Sequence, residues 1–561
     1  MTTTDAPDLT FRLSPQHRRV FIGLIVGMLV ASISQTIVGP AMPRIVSELG
    51  GMEYYSWVAT AAMLVSAITV PIVGKLSDLC GRRGFFLAGL LIFMSGSILA
   101  GFAESFWVLV AARAVQGLGM GTIMPLSQTI IGDIIPPRQR GKYQGYMGAV
   151  FGLTSVAGPL VGGLITDAWG WRWLFFATLP VGVVAFILVF WFLRLPHQRR
   201  HAKVDVAGML VLSSALVAIL LATSWGGTTY PWLSPVILGL YAAGTVALIG
   251  FVFIELRAEE PVIPLRLFKL RAVSASNLAG FGLSMVMFGA IIYLPVFAQG
   301  VLGVNATNSG LILAPMMLSL VVMGIFTGQF ISRTGSYKPI MVVGTVIMGV
   351  GVWLLTRLSY ESSQTEMTLS MVVLGVGIGM AMQQYTLVIQ NAVERRDLGV
   401  ATASSQFFRN AGSTVGIALF GSVMSSGLGS AIMGHLPAEA ASKMPAGGID
   451  PGAVLDPEQL AGLPPVVADA VRHGLADQLH QVFVIALPIA GLVMLATLAI
   501  KALPLRSTSF VDELKRQEAE AAEEQPDIDA EDLADMDEGG EGSQLPADTP
   551  ASAPQSRLPV G

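Results

Sequence analysis

Fourteen separate stretches of this chain are each apolar for about 20 residues, enough to cross a bilayer as a helix. They run over 20–42, 56–73, 85–103, 106–131, 145–166, 173–193, 206–224 and 234–255, then 272–297, 309–331, 339–357, 367–389, 402–426 and 481–502. In lipid every backbone N–H and C=O must be satisfied inside its own segment, so runs of this length without strand patterning imply helices. Composition agrees. Of 561 residues, 53% are hydrophobic and 12% charged, about half the roughly 25% charged residues of soluble domains. The expected fold is an all-α membrane protein. The first apolar run follows Arg18 and Arg19 and is too long for a signal-peptide core, so it reads as an uncleaved span.

Charge sets the orientation. With the N-terminus inside, roughly 25 Lys and Arg fall on the cytoplasmic side and about 5 outside. Both termini are therefore expected in the cytoplasm, with the protein in the cell membrane. The net charge of −4 hides two unlike regions. Residues 507–561 carry about 15 acids and 3 bases, too little apolar content to bury, and read as a solvated tail.

The stretch "GKLSDLCGRRG" begins at Gly74, after the second span, and "GQFISRTGSYK" begins at Gly328, after the tenth. Both open on Gly, carry a second Gly seven residues on (Gly81, Gly335) and end in basic residues, with Arg333 inside the second copy. The offset between the loops matches the offset between the first spans of two six-span blocks, which is the repeat expected of many transporters. The resulting plan has a cytoplasmic segment 1–19, a six-helix bundle 20–193 and two inserted helices within 194–271. A second six-helix bundle follows over 272–502, with a long extracytoplasmic loop 427–480, and 503–561 form the acidic tail. The amphipathic stretch "VADAVRHGLADQLHQVF" lies in that long loop and reads as a packed linker or cap.

"GKLSDLCGRR" resembles the cytoplasmic loop motif of the major facilitator superfamily. Four further elements are similar to its fourteen-spanner drug:proton antiporter branch. They are "RAVQGLG" at Arg113, "AGPLVGG" at Ala157, "WRWLFFATLPVG" at Trp171 with "ELRAEEPVIPLRLF" at Glu255, and "QNAV" with "ATASSQFFRNAG" between Gln390 and Gly412. The resemblance covers about residues 15–505. It implies a secondary exporter of hydrophobic or amphiphilic small molecules that works by alternating access, with protons as the exchanged ion. The alternative is a dedicated lipid or metabolite exporter with weak or no proton coupling.

The resemblance assigns the loop residues Gly74, Asp78, Gly81, Arg82, Arg83, Arg333 and Gly335 to a cytoplasmic latch. Physically, the glycines permit close approach, and Asp78 can accept from a helix N-terminus or pair with Arg82. Positive-inside topology accounts for the basic residues but not for Asp78. Arg113, with Gln116 on the same helix face, is an intramembrane charge and is assigned to proton coupling or cavity polarity; the plainer reading is a structural anchor. Gly158, Pro159, Gly162 and Gly163 resemble the antiporter element, and tight packing explains them nearly as well.

In the branch an aspartate commonly precedes x-Thr-Ile-Val in the first span; here that position is Ser34. No Asp or Glu lies near the middle of any apolar run. Proton coupling is then expected to be weak or to use acids at the cytoplasmic ends of spans, such as Asp133, expected beside Arg140. On the same reading, Ser34→Asp would raise the dependence of export on protons. Other polar residues within spans could line a cavity: Ser34, Gln35, Asn277, Tyr293, Gln383, Gln384 and Gln406. Arg409 reads as a snorkelling residue near a helix end, and the 26 methionines as packing.

No catalytic constellation emerges. The six histidines lie outside the spans, and the single cysteine, Cys80, excludes an internal disulfide. No enzyme activity, cofactor, metal or nucleic-acid partner is expected. The expected partners are a lipophilic substrate, protons and the lipid bilayer, with the protein acting as a monomer.

Overall fold

The structure, a computed structural model, describes residues 14–505 except 51–53, 55–56, 195–204, 227–228, 304–311 and 438–464. The acidic tail lies outside the described residues from position 506 onward. Fourteen helices are long and apolar enough to span a membrane. In the first half they are α1 (Pro15–Ala41), α2 (Trp57–Cys80), α3 (Arg82–Gly101), α4 (Phe106–Ile134), α5 (Pro137–Trp169) and α6 (Arg172–Phe192). The inserted pair is α7 (Val206–Trp225) and α8 (Pro235–Glu255). The second half comprises α9 (Arg271–Gly300), α10 (Ala314–Thr334), α11 (Lys338–Thr356), α12 (Gln364–Ala392), α13 (Arg395–His435) and α14 (Pro465–Ala499). A short helix, Met42–Leu49, follows α1. Side-chain caps fix several starts: Ser105 for α4, Asp205 for α7, Ser234 for α8, and a Ser363–Glu366 capping box for α12.

The repeat inferred from the two loops is carried by the packing. In the first half α1 packs on α4, α5 and α6, α2 on α4, and α3 on α4 and α6. In the second half α9 packs on α12, α13 and α14, α10 on α12, and α11 on α12 and α14. Each helix thus has the neighbours of its counterpart eight spans earlier. Where the halves meet, α5 packs on α10 and α13 on α2, again an exchanged pair. The inserted helices pack on each other, and α7 also touches α2 and α13. Most of α8 faces outward, presenting Leu238, Val246, Ile249 and Phe253, as a helix bathed in lipid does.

The segment expected as a long loop over 427–480 departs from expectation. The amphipathic stretch is the beginning of α14, not a separate linker, and α13 runs out to His435. The cause is its apolar stripe: Val471, Leu475 and Leu479 are fully buried, and Gly474 lies against the backbone of Ile432. Burying that stripe against α13 continues the last span by about four turns at its N-terminal end.

Candidate functional site

α2 ends in the loop motif and meets the start of α13. The carboxylate of Asp78 accepts the amide N–H of Gly399 at 3.1 Å and that of Val400 at 3.0 Å. These amides belong to the first turn of the helix beginning at Leu398, where they have no intrahelical acceptor and the macrodipole favours a negative charge. Arg82 donates to the same carboxylate at 2.9 Å, to the carbonyl of Thr129 at 3.2 Å, and to Asp133. One guanidinium therefore joins α2, α3 and α4 behind the contact with α13. The three charged side chains are 5–9% exposed. Asp133 is paired with Arg82; Arg140 instead donates to the carbonyls of Ile135 at 2.8 Å and of Gly132. Arg140 stands near Asp133, as expected, and its hydrogen bonds to these carbonyls close the turn between α4 and α5.

The glycines allow this seam to close. A Cβ on Gly74 would collide with Ala403, and one on Gly399 with the Asp78 carboxylate. Gly81 has φ +99°, a left-handed value that suits glycine at the break between α2 and α3. Arg83 turns away and donates to the carbonyl of Phe190 at 2.7 Å within its own half.

The matching seam between α5 and α10 has a different chemistry. Ser332 stands where the first copy has Asp78, and the helices meet through glycines, Gly328 on Gly141 and Gly145 on Gly324. Arg333 contributes its backbone carbonyl, which accepts from Arg138 at 3.2 Å, and Gly335 caps α10 with φ +71°. One seam is electrostatic and the other is a close backbone approach.

Three residues missed in the sequence, Glu260, Arg266 and Asp397, strengthen the electrostatic side. Lys75 donates to Glu260 at 2.6 Å, and Arg266 to Asp397 at 3.0 Å. Glu255, 4% exposed, accepts from the amides of Val262 and Ile263 at 3.0 and 3.2 Å. The "ELRAEEPVIPLRLF" segment is thus a strap that folds on its own glutamate and ties the inserted helices to α2 and α13. Its pairing of Glu260 with Lys75 spans 185 residues, which no local pattern announces.

Above the seam, Gln390 forms a polar floor. It accepts from Gln144 at 3.1 Å and donates to the carbonyl of Gln128 and to Thr402, each at 3.1 Å. Over this floor lies a cavity of about 80 Å³, bounded by α1, α2, α4 and α5 from one half and α9, α12 and α13 from the other. Its polar lining includes Gln35, Gln128, Gln383, Gln406, Arg409 and Asn410 together with three serines, and six methionines (Met28, Met120, Met124, Met147, Met287, Met382) supply much of the rest. No acid stands among the described lining residues. Drug-sized ligands occupy roughly 300–1,000 Å³, so this closed arrangement is too small for one.

Of the expected cavity residues, Gln35, Gln383 and Gln406 are in place. Asn277 instead donates to Ser404 at 3.1 Å, Gln384 is wholly buried, and Tyr293 faces Gly421. Arg409 is a correction. Its helix starts at Leu398, so it stands eleven residues, about 16 Å, from that end, too deep to snorkel, and borders the cavity. The methionines also do more than pack.

Ser34 is 1% exposed and outside the cavity. It is a ligand of Arg113, whose Nη1 donates to the Ser34 hydroxyl at 3.1 Å and to Gln116 at 2.7 Å, while Nε donates to the carbonyl of Val58 at 3.1 Å. Gln116 passes the network to Ser97 at 2.7 Å. The position of the missing aspartate is therefore beside Arg113, whose charge is met here by neutral oxygens. Gly158 and Gly162 lie against Thr36 and Ile37 of α1, whereas Gly163 meets nothing, so the glycine motif is the α1–α5 packing seam.

At the opposite end of the helices from the Asp78 seam, the tryptophan motif closes a clasp on Glu48, which accepts from Trp171 at 2.6 Å and Arg172 at 2.5 Å. The hydrogen bond from Arg172, then that from Trp171, hold this carboxyl below the ordinary glutamate range.

The sequence pattern of the Major Facilitator Superfamily matches residues 24–417. The chain belongs to that superfamily. This major facilitator protein is 38% identical over 532 residues to "Multidrug transporter protein MdtP" of Bacillus subtilis (strain 168), covering 91% of this chain and 98% of that protein. It is 35% identical over 419 residues to "Multidrug resistance protein 3" of the same organism, covering 75% and 82%. The solved major facilitator proton:xylose symporter XylE has the same fold, with TM-score 0.58 at 13% identity over 89% of this chain and 98% of that one. The chain is a fourteen-span transporter, not an enzyme.

Proposed function

We propose that this major facilitator protein exports hydrophobic or amphiphilic small molecules across the cell membrane by alternating access, with both termini cytoplasmic, as a monomer. The observation that carries the reading is the closed inner seam beneath a central cavity shared by both halves. Asp78 docked on α13 shuts the cytoplasmic side, and releasing it would admit substrate to a widened cavity from within. The multidrug names of the relatives support the substrate class.

Proton antiport is the favoured coupling. No carboxylate is among the described residues that line the cavity, which supports a proton site at the inner acids. Protonating Asp78 or Asp133 would remove the charge that Arg82 bridges and loosen the seam. The absence of a cavity acid also favours the second reading, a lipid or metabolite exporter with weak coupling. Efflux of dyes, antibiotics and lipids from everted vesicles, with and without an imposed proton gradient, separates the two. Export that collapses with the gradient yet is unchanged by Asp133→Asn and Asp78→Asn contradicts this placement of the proton site.

A further inference from the structure

We propose that the central cavity selects amphiphiles carrying an anionic head group, which Arg409 binds; the inference rests on the exporter reading and names its substrate class.

Arg409 borders the cavity about 16 Å into its helix. Its Nη1 is buried without a hydrogen-bond partner, and it forms no ion pair among the described residues. Arg113, another buried guanidinium, is different: three neighbouring residues accept its N–H groups. A buried guanidinium with an idle donor and no counter-ion is costly to maintain. Facing a cavity, it is the feature that a carboxylate, sulfonate or phosphate would satisfy through charge-assisted hydrogen bonds.

The surroundings suit such a ligand. The amides of Gln35, Gln383 and Asn410 can donate to remaining head-group oxygens without adding charge. The methionines offer a soft, adaptable apolar wall for the body of the molecule. A lipophilic cation meets the opposite situation, a fixed positive charge in a cavity without an acid. The same field that attracts anions therefore excludes cations, so selectivity follows from one residue.

The test uses two aromatic ions of permanent charge, 8-anilinonaphthalene-1-sulfonate and tetraphenylphosphonium. Binding to the full-length chain in nanodiscs is measured by equilibrium dialysis against empty nanodiscs, and transport is measured in everted vesicles. The sulfonate is expected to bind and to be exported. Arg409→Gln should weaken its binding roughly ten- to hundredfold, the worth of one charged hydrogen-bonding partner, and leave the phosphonium unchanged or bound more tightly. Arg409→Lys should restore part of the sulfonate binding, which also shows that the variants fold. The inference is overturned if the phosphonium is bound and exported while the sulfonate is not, or if Arg409→Gln weakens both ions equally. In the first case the exporter reading survives. If neither ion is bound or moved, the inference falls, and the exporter reading then stands or fails on the wider panel.

Discussion

Asp78 accepts the amide of Gly399 across 321 residues of chain, so the end of α2 caps the start of α13 as if it were that helix's own N-cap. A capping carboxylate normally comes from the residue before the first α-helical turn; here Asp397 occupies that place before Leu398, and its side chain accepts no capping hydrogen bond. The cap is supplied by the other half of the molecule, which makes helix satisfaction depend on closure.

Replacing Asp78 with Asn keeps the shape but removes the charge that two amides and Arg82 share. Export is expected to fall at least about tenfold at matched membrane protein, the scale of a lost charged hydrogen bond. Insertion should be unaffected, because the basic topology signals remain. Gly399→Ala should reproduce the loss, since its Cβ would overlap the Asp78 carboxylate. Vesicle transport normalised to immunoblot checks both, and wild-type rates in either variant would count against the latch.

Arg82 holds two buried carboxylates at once. Arg82→Gln leaves both without their cation, so it should lower Tm more than Asp133→Asn does. The double variant should cost less than the two singles summed, with a coupling of about 1–3 kcal/mol. Additive effects in thermal melts of detergent-purified protein would show that the pair is not coupled.

Ser34→Asp tests the expectation drawn from the family pattern. Position 34 is a ligand of Arg113, enclosed and away from the cavity, so the new carboxylate is expected to pair with that guanidinium and raise Tm. It should leave cation export unchanged. A gain in proton dependence with no change in Tm would restore the expectation read from the sequence.

The Glu48 clasp supplies a pH dependence. Glu48 has a folded-state pKa below its unfolded value, so its contribution is present above the unfolded pKa and is lost as pH falls through the folded one. The Tm difference between wild type and Glu48→Gln should therefore shrink below about pH 4. A constant difference from pH 7 to 3 would contradict the clasp. The side chain is exposed, so the effect should be small.

Much of this was legible in the chain. Apolar length alone located all fourteen helices, and the two glycine-bounded loops revealed the repeat. Asp78 stood out because topology explains its basic neighbours but not an acid among them. What escaped was partnership at long range. Glu260, Arg266 and Asp397 look like ordinary loop charges until folding brings them to the seam. Arg409 carried a usable signal, an arginine followed by a long apolar run. It was misjudged because the helix starts at Leu398, before the apolar window opens at 402. Ser34 was legible as a departure, but only the fold shows that the missing carboxylate would face Arg113 rather than the cavity.

The central claim is that the Asp78–α13 contact forms and breaks during transport. Cys80, the chain's single cysteine, is exposed two residues beyond Asp78, and Glu394→Cys places a second label just before α13. Double electron–electron resonance between spin labels at these sites should give a short and a long distance for the wild-type background. Asp78→Asn should move the population to the long one. A single unchanged distance in both proteins, with and without a transported substrate, would contradict the account.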